Sequence, residues 1–126
     1  MSKPYLAGYL YIACTILLTV YGQLVIKWRM DFLGKLPEGF TGKLVFLVKA
    51  LFDPYIFSSF FAAFLASLTW MAAVTKFEIS YAYPFMSLAF VLVLIFSYVL
   101  FNESLTIPKV LGLVLIIVGI IIASKK

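Results

Sequence analysis

Long apolar stretches alternate with short polar joints along the chain. Uncharged runs extend over residues 4–26, 54–75, 79–102 and 110–124. The first three reach the ~20 residues that an α-helix needs to cross a hydrocarbon core of ~30 Å, and the fourth gains length if it begins near Ile107. Only helices satisfy every backbone group inside lipid, and strand-like alternation is absent. The pattern therefore predicts four transmembrane helices, over about 5–27, 54–75, 79–101 and 107–124.

The joints predict how these spans are connected. Residues 76–78 and 103–109 form tight connections, which make consecutive spans antiparallel neighbours. The long connection, residues 27–53, begins with residues that break helices: Gly34, Pro37, Gly39 and Gly42. Apolar residues then recur at helical spacing: Leu44, Leu47, Val48, Leu51 and Phe52. This predicts a short helix lying in the membrane interface, with a plain loop as the alternative.

Composition supports a membrane protein. Of the 126 residues 65% are hydrophobic and only 12% are charged, and the mean hydropathy is +1.14. A soluble domain of this length cannot bury so much apolar side chain, because small folds leave a large share of their surface exposed. The fold class is therefore an all-α integral membrane protein, with residues 1–126 forming a single domain.

Charge and cysteine content exclude several kinds of function. The formal net charge is +5, but the basic residues are spread over the ends of the apolar runs, where they suit lipid headgroups. There is no basic face with a docking motif, so no nucleic-acid partner is predicted. The chain has no histidine, and Cys14 is its one cysteine; we therefore predict no metal site, cofactor or internal disulfide. Basic residues divide too evenly between the two predicted sides to assign an orientation.

A polar ridge follows the first span. Its members recur every four residues: Tyr11, Thr15, Thr19, Gln23 and Lys27. Because polar groups inside a membrane are costly, each needs a reason. Gln23 and Lys27 are candidate binding residues, and Lys27 with Arg29 places two cations at the mouth of a cleft, where a phosphate is the natural partner. The alternative is interhelical hydrogen bonding together with a lysine that extends to the interface.

The third span and its neighbours supply further candidates. Pro84 removes a backbone hydrogen bond, so a kink or irregular turn is expected. Tyr83 and Ser87 lie one turn apart and could face the same cavity; the alternative is a purely structural kink. Trp70 on the second span is a candidate contact or a packing residue. Glu103 is a candidate contact, a helix cap or a solvated acid.

Two glycines mark the last span. Gly112 and Gly119 are seven residues apart, hence on one face of a helix. Small residues let helix backbones approach closely in lipid. We predict a dimer interface there, with contacts inside the chain as the alternative.

The motifs together resemble a known family. The run YGQLVIK at residues 21–27, Trp70 thirteen residues before Tyr83 of YAYPFMSL, and FNES before the last helix resemble the small four-helix, EamA-like branch of the drug/metabolite transporter superfamily. That branch includes the subunits that flip aminoarabinose-phospho-undecaprenol. The resemblance implies a multi-pass transporter of the bacterial inner membrane, which is not an enzyme and has no catalytic residues.

The resemblance also implies a substrate and a partner. Gln23 and Lys27 would line a cleft for the headgroup of a polyprenyl-phosphate glycolipid, while its isoprenoid tail stays among membrane lipids. Small members of the superfamily work in pairs, which implies a homodimer or a heterodimer with a similar small subunit.

The sister branch, the small multidrug resistance family, exports cations by means of a glutamate in the first helix. Alignment on YGQ places Thr19 at that position, and no acid occurs in residues 4–26. Without a membrane carboxylate the chain lacks the group that would couple protons to cations. The glycolipid branch is therefore favoured. A small-cation exporter and a non-transporting accessory subunit of a glycolipid pathway remain the alternatives.

Overall fold

The structure is a computed structural model that describes residues 3–125, with side chains from Leu6 onward. All regular elements in this part of the chain are helical: α1 (Lys3–Leu33), α2 (Phe40–Leu51), α3 (Pro54–Lys76), α4 (Ile79–Ala82), a 3₁₀ segment (Tyr83–Ser87), α5 (Leu88–Phe101) and α6 (Ile107–Ala123). The predicted all-α class is confirmed.

Three segments are long and apolar enough to cross a membrane: Leu6–Leu33, Pro54–Lys76 and Ile79–Phe101. Helix α6 is also apolar but has 17 residues, so it is about 25 Å long. The protein thus has the architecture of a multi-pass membrane protein.

The connection between the first two spans is more helical than predicted. Helix α1 continues past Lys27 because residues 27–33 contain no helix breaker, and it ends before Gly34, whose φ of +104° suits glycine. Helix α2 begins after Gly39, which also has a positive φ. A short helix is thus present where it was predicted, so the plain-loop alternative is wrong, while its position in the membrane interface stays a prediction.

Helices α1 and α3 form the most extensive helix pair. Small residues allow their close approach: a Cβ added to Gly22 would lie 3.2 Å from the Ser59 carbonyl oxygen, and Ala62 and Ala66 of α3 are buried. Near the other end, the main core cluster joins α1 to the end of α3 and to α4 through Ile12, Ile16, Val20, Ala73, Phe77 and Ala82.

The third apolar segment is interrupted where Pro84 predicts it. The 3₁₀ segment replaces regular α-helix between α4 and α5, so the expected irregular turn is confirmed. Helix α6 packs mainly against this segment and α5. Within the described residues, no atom lies within 4 Å of a Cβ added to Gly112 or Gly119. A side chain at either position would therefore meet open space within the described residues, and the place of the two glycines in a dimer interface stays a prediction.

Candidate functional site

A polar cavity of about 330 Å³ lies between α1 and α3. Its polar lining consists of Thr15, Thr19, Gln23, Ser59 and Ser67, and its apolar walls include Phe60 and Trp70. The volume falls at the lower end of the range of ~300–1,000 Å³ typical of small-molecule sites. This cavity brings polar groups together between two otherwise apolar helices, and it is therefore the candidate functional site.

Helical spacing assembles this polar cavity. On α1, Thr15, Thr19 and Gln23 are separated by four residues each, which brings them to one side of the helix. On α3, Ser59 and Ser67 are eight residues apart and share a side in the same way. Ala63 and Ala66 lie between them on that side and are small, so they leave open space where α1 and α3 face each other.

Some of the lining groups are occupied by structural hydrogen bonds. The hydroxyls of Thr15 and Thr69 lie 2.6 Å apart and link α1 to α3, which confirms the predicted interhelical hydrogen bond for Thr15. Ser59 donates to the Ile56 carbonyl at 2.6 Å. By contrast, the Gln23 side chain is exposed and makes no hydrogen bond within the described residues. Its amide is thus free to bind a ligand with both a donor and an acceptor.

The predicted aromatic candidates occupy different places. Trp70 lines the polar cavity, and its indole meets the Tyr83 ring edge to face, with 5.9 Å between centroids. Tyr83 itself is 63% exposed and stands behind Trp70. Ser87 is half-buried at the end of the 3₁₀ segment and is not part of the lining. The structure therefore brings Gln23 and Trp70 to one site, but not Tyr83 and Ser87.

Lys27 lies one helical turn beyond Gln23 on the same side of α1 but is not part of the lining of the polar cavity. Its Nζ is 3.2 Å from Oδ1 of Asp31, and both side chains are about half exposed. Exposed ion pairs of this kind contribute little to stability. The Lys27 amine is therefore available to an anion that approaches this end of the helix.

Arg29 points away from Lys27, because two residues correspond to about 200° of helix rotation. Its Nε and Nη2 donate to the Asp53 carboxylate at 3.0 and 2.6 Å, and both side chains are largely buried. The guanidinium also lies over aromatic rings at 4.3–5.4 Å from their centroids, those of Trp28, Phe32 and Tyr55. The two cations that were predicted to lie together at the mouth of a cleft are thus separated. The ion pair of Arg29 with Asp53 joins α1 to the start of α3.

Asp53 also begins α3. Its carboxylate accepts hydrogen bonds from the backbone N–H groups of Tyr55 and Ile56 at 3.1 and 3.2 Å, which makes it the N-cap of the helix. The side-chain hydrogen bond from Arg29 is the largest cause that lowers the pKa of Asp53 below its ordinary value, against the opposing effect of desolvation. The carboxylate therefore stays ionised and holds both helices.

Glu103 lies between α5 and α6, outside the lining of the polar cavity. Its backbone N–H bonds to the Ser97 carbonyl at 3.3 Å. The cap of α6 is Thr106, whose hydroxyl accepts from the Lys109 N–H at 3.4 Å. The helix-cap alternative for Glu103 is therefore wrong, and a role in binding stays a prediction.

Sequence reasoning missed part of the lining. Ser59 and Phe60 were not among the predicted site residues, and Gly22 was noted only as part of a motif. The available signal was the spacing of Ser59, Ala63 and Ser67, which repeats every four residues along α3 and gives a small, partly polar strip on one side of that helix.

Named relatives resemble the chain along most of its length. The "Probable 4-amino-4-deoxy-L-arabinose-phosphoundecaprenol flippase subunit ArnF" of Pseudomonas fluorescens is 31% identical over 121 residues, covering 94% of this chain and 88% of the relative. A protein of the same name from Aeromonas hydrophila is 32% identical over 127 aligned positions, covering 99% of this chain and 84% of the relative.

The "Probable 4-amino-4-deoxy-L-arabinose-phosphoundecaprenol flippase subunit ArnE", also from Pseudomonas fluorescens, is 26% identical over 108 residues. The alignment covers 86% of this chain and 89% of the relative. No solved structure matches the chain at a significant level. The model of the EamA-like transporter family matches residues 5–125, which include both helices of the polar cavity. On this evidence the chain belongs to the EamA-like transporter family.

Proposed function

We propose that this chain is one subunit of a flippase that moves an undecaprenyl-phosphate-linked sugar, such as aminoarabinose, across the bacterial inner membrane. The names of its relatives support this assignment. The structural observation that carries it is the polar cavity between two apolar helices, with the unpaired Gln23 amide in its wall. A polar group inside a membrane is costly unless it serves structure or function, and Gln23 makes no hydrogen bond within the described residues that would give it a structural role.

The polar cavity lowers the cost of moving a sugar through hydrocarbon. A sugar that leaves water loses hydrogen bonds, and each unreplaced bond costs free energy. Gln23, Thr19 and Ser67 supply donors and acceptors inside the cavity, so the headgroup exchanges water for protein groups. The process breaks no covalent bond, which makes it transport without catalytic residues.

The phosphate is held by Lys27. This lysine lies one turn from Gln23, and its exposed pairing with Asp31 is weak, so the amine can exchange that partner for the phosphate of the substrate. Arg29 already has a buried bidentate partner and acts as a positioning residue that keeps α1 and α3 together. Trp70 forms a wall of the cavity, supported by Tyr83.

The assembled transporter consists of two small subunits. Each subunit spans the membrane with four helices, α1, α3, the segment from α4 to α5, and α6, while α2 lies in the interface. The polar cavity of one chain is small, and the open face at Gly112 and Gly119 suits contact with an identical or similar subunit.

The decisive test is mass spectrometry of the lipids that co-purify with the chain in native nanodiscs. An enriched polyprenyl-phosphate sugar is expected, and its mass identifies the sugar. Bulk phospholipid alone, together with no binding of added aminoarabinose-phospho-undecaprenol, would contradict the proposal and favour a cation exporter or an accessory subunit.

The Lys27 assignment has a matched test. Lys27→Ala should weaken binding of aminoarabinose-phospho-undecaprenol about tenfold or more, because a charge-assisted contact to the phosphate is lost. Lys35→Ala removes an exposed lysine from the connection outside the polar cavity and should leave the affinity unchanged. Equal effects of the two substitutions would refute the phosphate contact at Lys27. Titration of each variant by native mass spectrometry provides the comparison.

A further inference from the structure

A second cavity, here called the apolar pocket, lies where α2 approaches α1 and α3. Its volume is about 370 Å³. Side chains from the three helices line it, among them Ile26, Met30, Leu44, Val48, Ile56 and Phe60. This lining is aliphatic or aromatic throughout, so the apolar pocket suits a hydrocarbon ligand and offers a sugar or a phosphate nothing to bind.

The apolar pocket adjoins the polar cavity. Ile26 and Phe60 belong to the linings of both, so these two side chains form a shared wall. Along α1, Gln23, Ile26, Lys27 and Met30 follow the spacing of one helix face. Along this face Gln23 lines the polar cavity, Ile26 belongs to the shared wall and Met30 lines the apolar pocket. Lys27 lines neither cavity but follows Ile26 directly in the sequence.

That order matches the chemical order of one kind of molecule. A lipid-linked sugar has a polar headgroup, an anionic phosphate and a hydrocarbon chain in sequence. The polar cavity, the Lys27 cation and the apolar pocket offer complementary chemistry in the same sequence. A free sugar phosphate would leave the apolar pocket unused, and an uncharged hydrocarbon would use neither the polar cavity nor Lys27.

We propose that the apolar pocket binds the phosphate-proximal isoprene units of a polyprenyl phosphate, with the phosphate at Lys27 and the sugar in the polar cavity. The inference rests on the proposed function and adds to it a site for the lipid tail. It also gives α2 a role: this helix supplies one wall of the tail site, so the subunit holds its substrate at both ends while the headgroup enters the polar cavity.

Two valines on α2 provide a matched test. Val48 lines the apolar pocket and is 51% exposed, whereas Val45 is 48% exposed and is not part of the lining. Val48→Asn places an amide against the isoprene chain and should weaken binding of undecaprenyl phosphate about tenfold. Val45→Asn should change it less than about twofold. Native mass spectrometry in detergent micelles measures both affinities, and Leu44→Asn serves as a second variant of the pocket.

Further ligands distinguish the possible outcomes. Dioleoyl phosphatidylglycerol should bind Val48→Asn as well as it binds the wild type. If its affinity falls as much as that of undecaprenyl phosphate, the apolar pocket binds any acyl chain and the proposal is overturned. Equal effects of Val48→Asn and Val45→Asn on undecaprenyl phosphate would overturn the tail site alone. If the wild type binds neither undecaprenyl phosphate nor its aminoarabinose derivative, the proposed function fails, and the tail site fails with it.

Discussion

At the scale of single residues, glycine decides how closely α1 and α3 approach. A Cβ added to Gly8 would lie 2.6 Å from a ring carbon of Phe77 and 3.0 Å from Cβ of Lys76. Phe77 is buried in the core cluster, where its ring centroid lies 4.9 Å from that of Tyr9. The ring therefore has little room to move, and the position requires a residue without a side chain.

Gly8→Ala should consequently lower the free energy of unfolding in micelles by about 1–3 kcal/mol, the usual cost of overpacking. Gly119→Ala is the matched control when both variants are measured in micelles that keep the chain monomeric, because it is also a helical glycine and a Cβ there meets nothing within 4 Å inside the described chain. The control should be neutral or slightly stabilising, since alanine favours helix over glycine. Thermal unfolding followed by circular dichroism measures both, and comparable destabilisation by the two substitutions would contradict the packing argument.

At the scale of elements, the ion pair of Arg29 and Asp53 joins two long helices across 24 residues of sequence. The same carboxylate caps α3, so the orientation of α1 and the start of α3 depend on one side chain. Both functions bear on the polar cavity, which lies directly between these two helices.

Asp53→Asn separates the two functions, because asparagine is also a good N-cap but carries no charge for Arg29. We expect a lower unfolding temperature and faster amide hydrogen exchange in the first turn of α3. Asp31→Asn serves as the control, since Asp31 forms only an exposed pair with Lys27 and should have little effect. Unchanged exchange at α3 in Asp53→Asn would show that the pair does not fasten the helices.

The lowered pKa of Asp53 predicts how stability depends on pH. Aspartate has an ordinary pKa of about 3.9, so the stabilisation from Asp53 is fully present above that pH. It is lost only as the pH falls through the lower pKa of the folded state. Unfolding temperatures measured from about pH 6 to about pH 3 should show this acid loss in the wild type and a smaller loss in Asp53→Asn. Identical profiles would contradict the assignment.

At the scale of the whole molecule, α6 leaves much of its surface uncovered, and only Ile120 of this helix is buried within the described chain. Gly112→Leu combined with Gly119→Leu should abolish subunit pairing while the single chain still folds, because the added side chains meet open space. Val114→Leu with Val118→Leu adds bulk on other sides of α6 and should preserve pairing. Native mass spectrometry measures the ratio of dimer to monomer, and undiminished pairing of the glycine variant would locate the interface elsewhere.

The sequence by itself determined the class of the protein and its helices. In lipid every backbone group must bond within its own helix, so long apolar runs identify helices from local information alone, and Pro84, Gly34 and Gly39 mark where they break or end. Local information also indicated Gln23 and Trp70 as candidate contacts, because each is a polar or large aromatic side chain in an apolar run. Both line the polar cavity.

Only the tertiary structure decided which of these residues meet. The pairing of Arg29 with Asp53 and the joining of Gln23 with Ser59 and Ser67 in one cavity depend on which helix faces approach each other. Those faces are selected by packing at Gly8 and Gly22 against residues far along the chain. Hydropathy is a property of each segment and carries no record of such distant contacts.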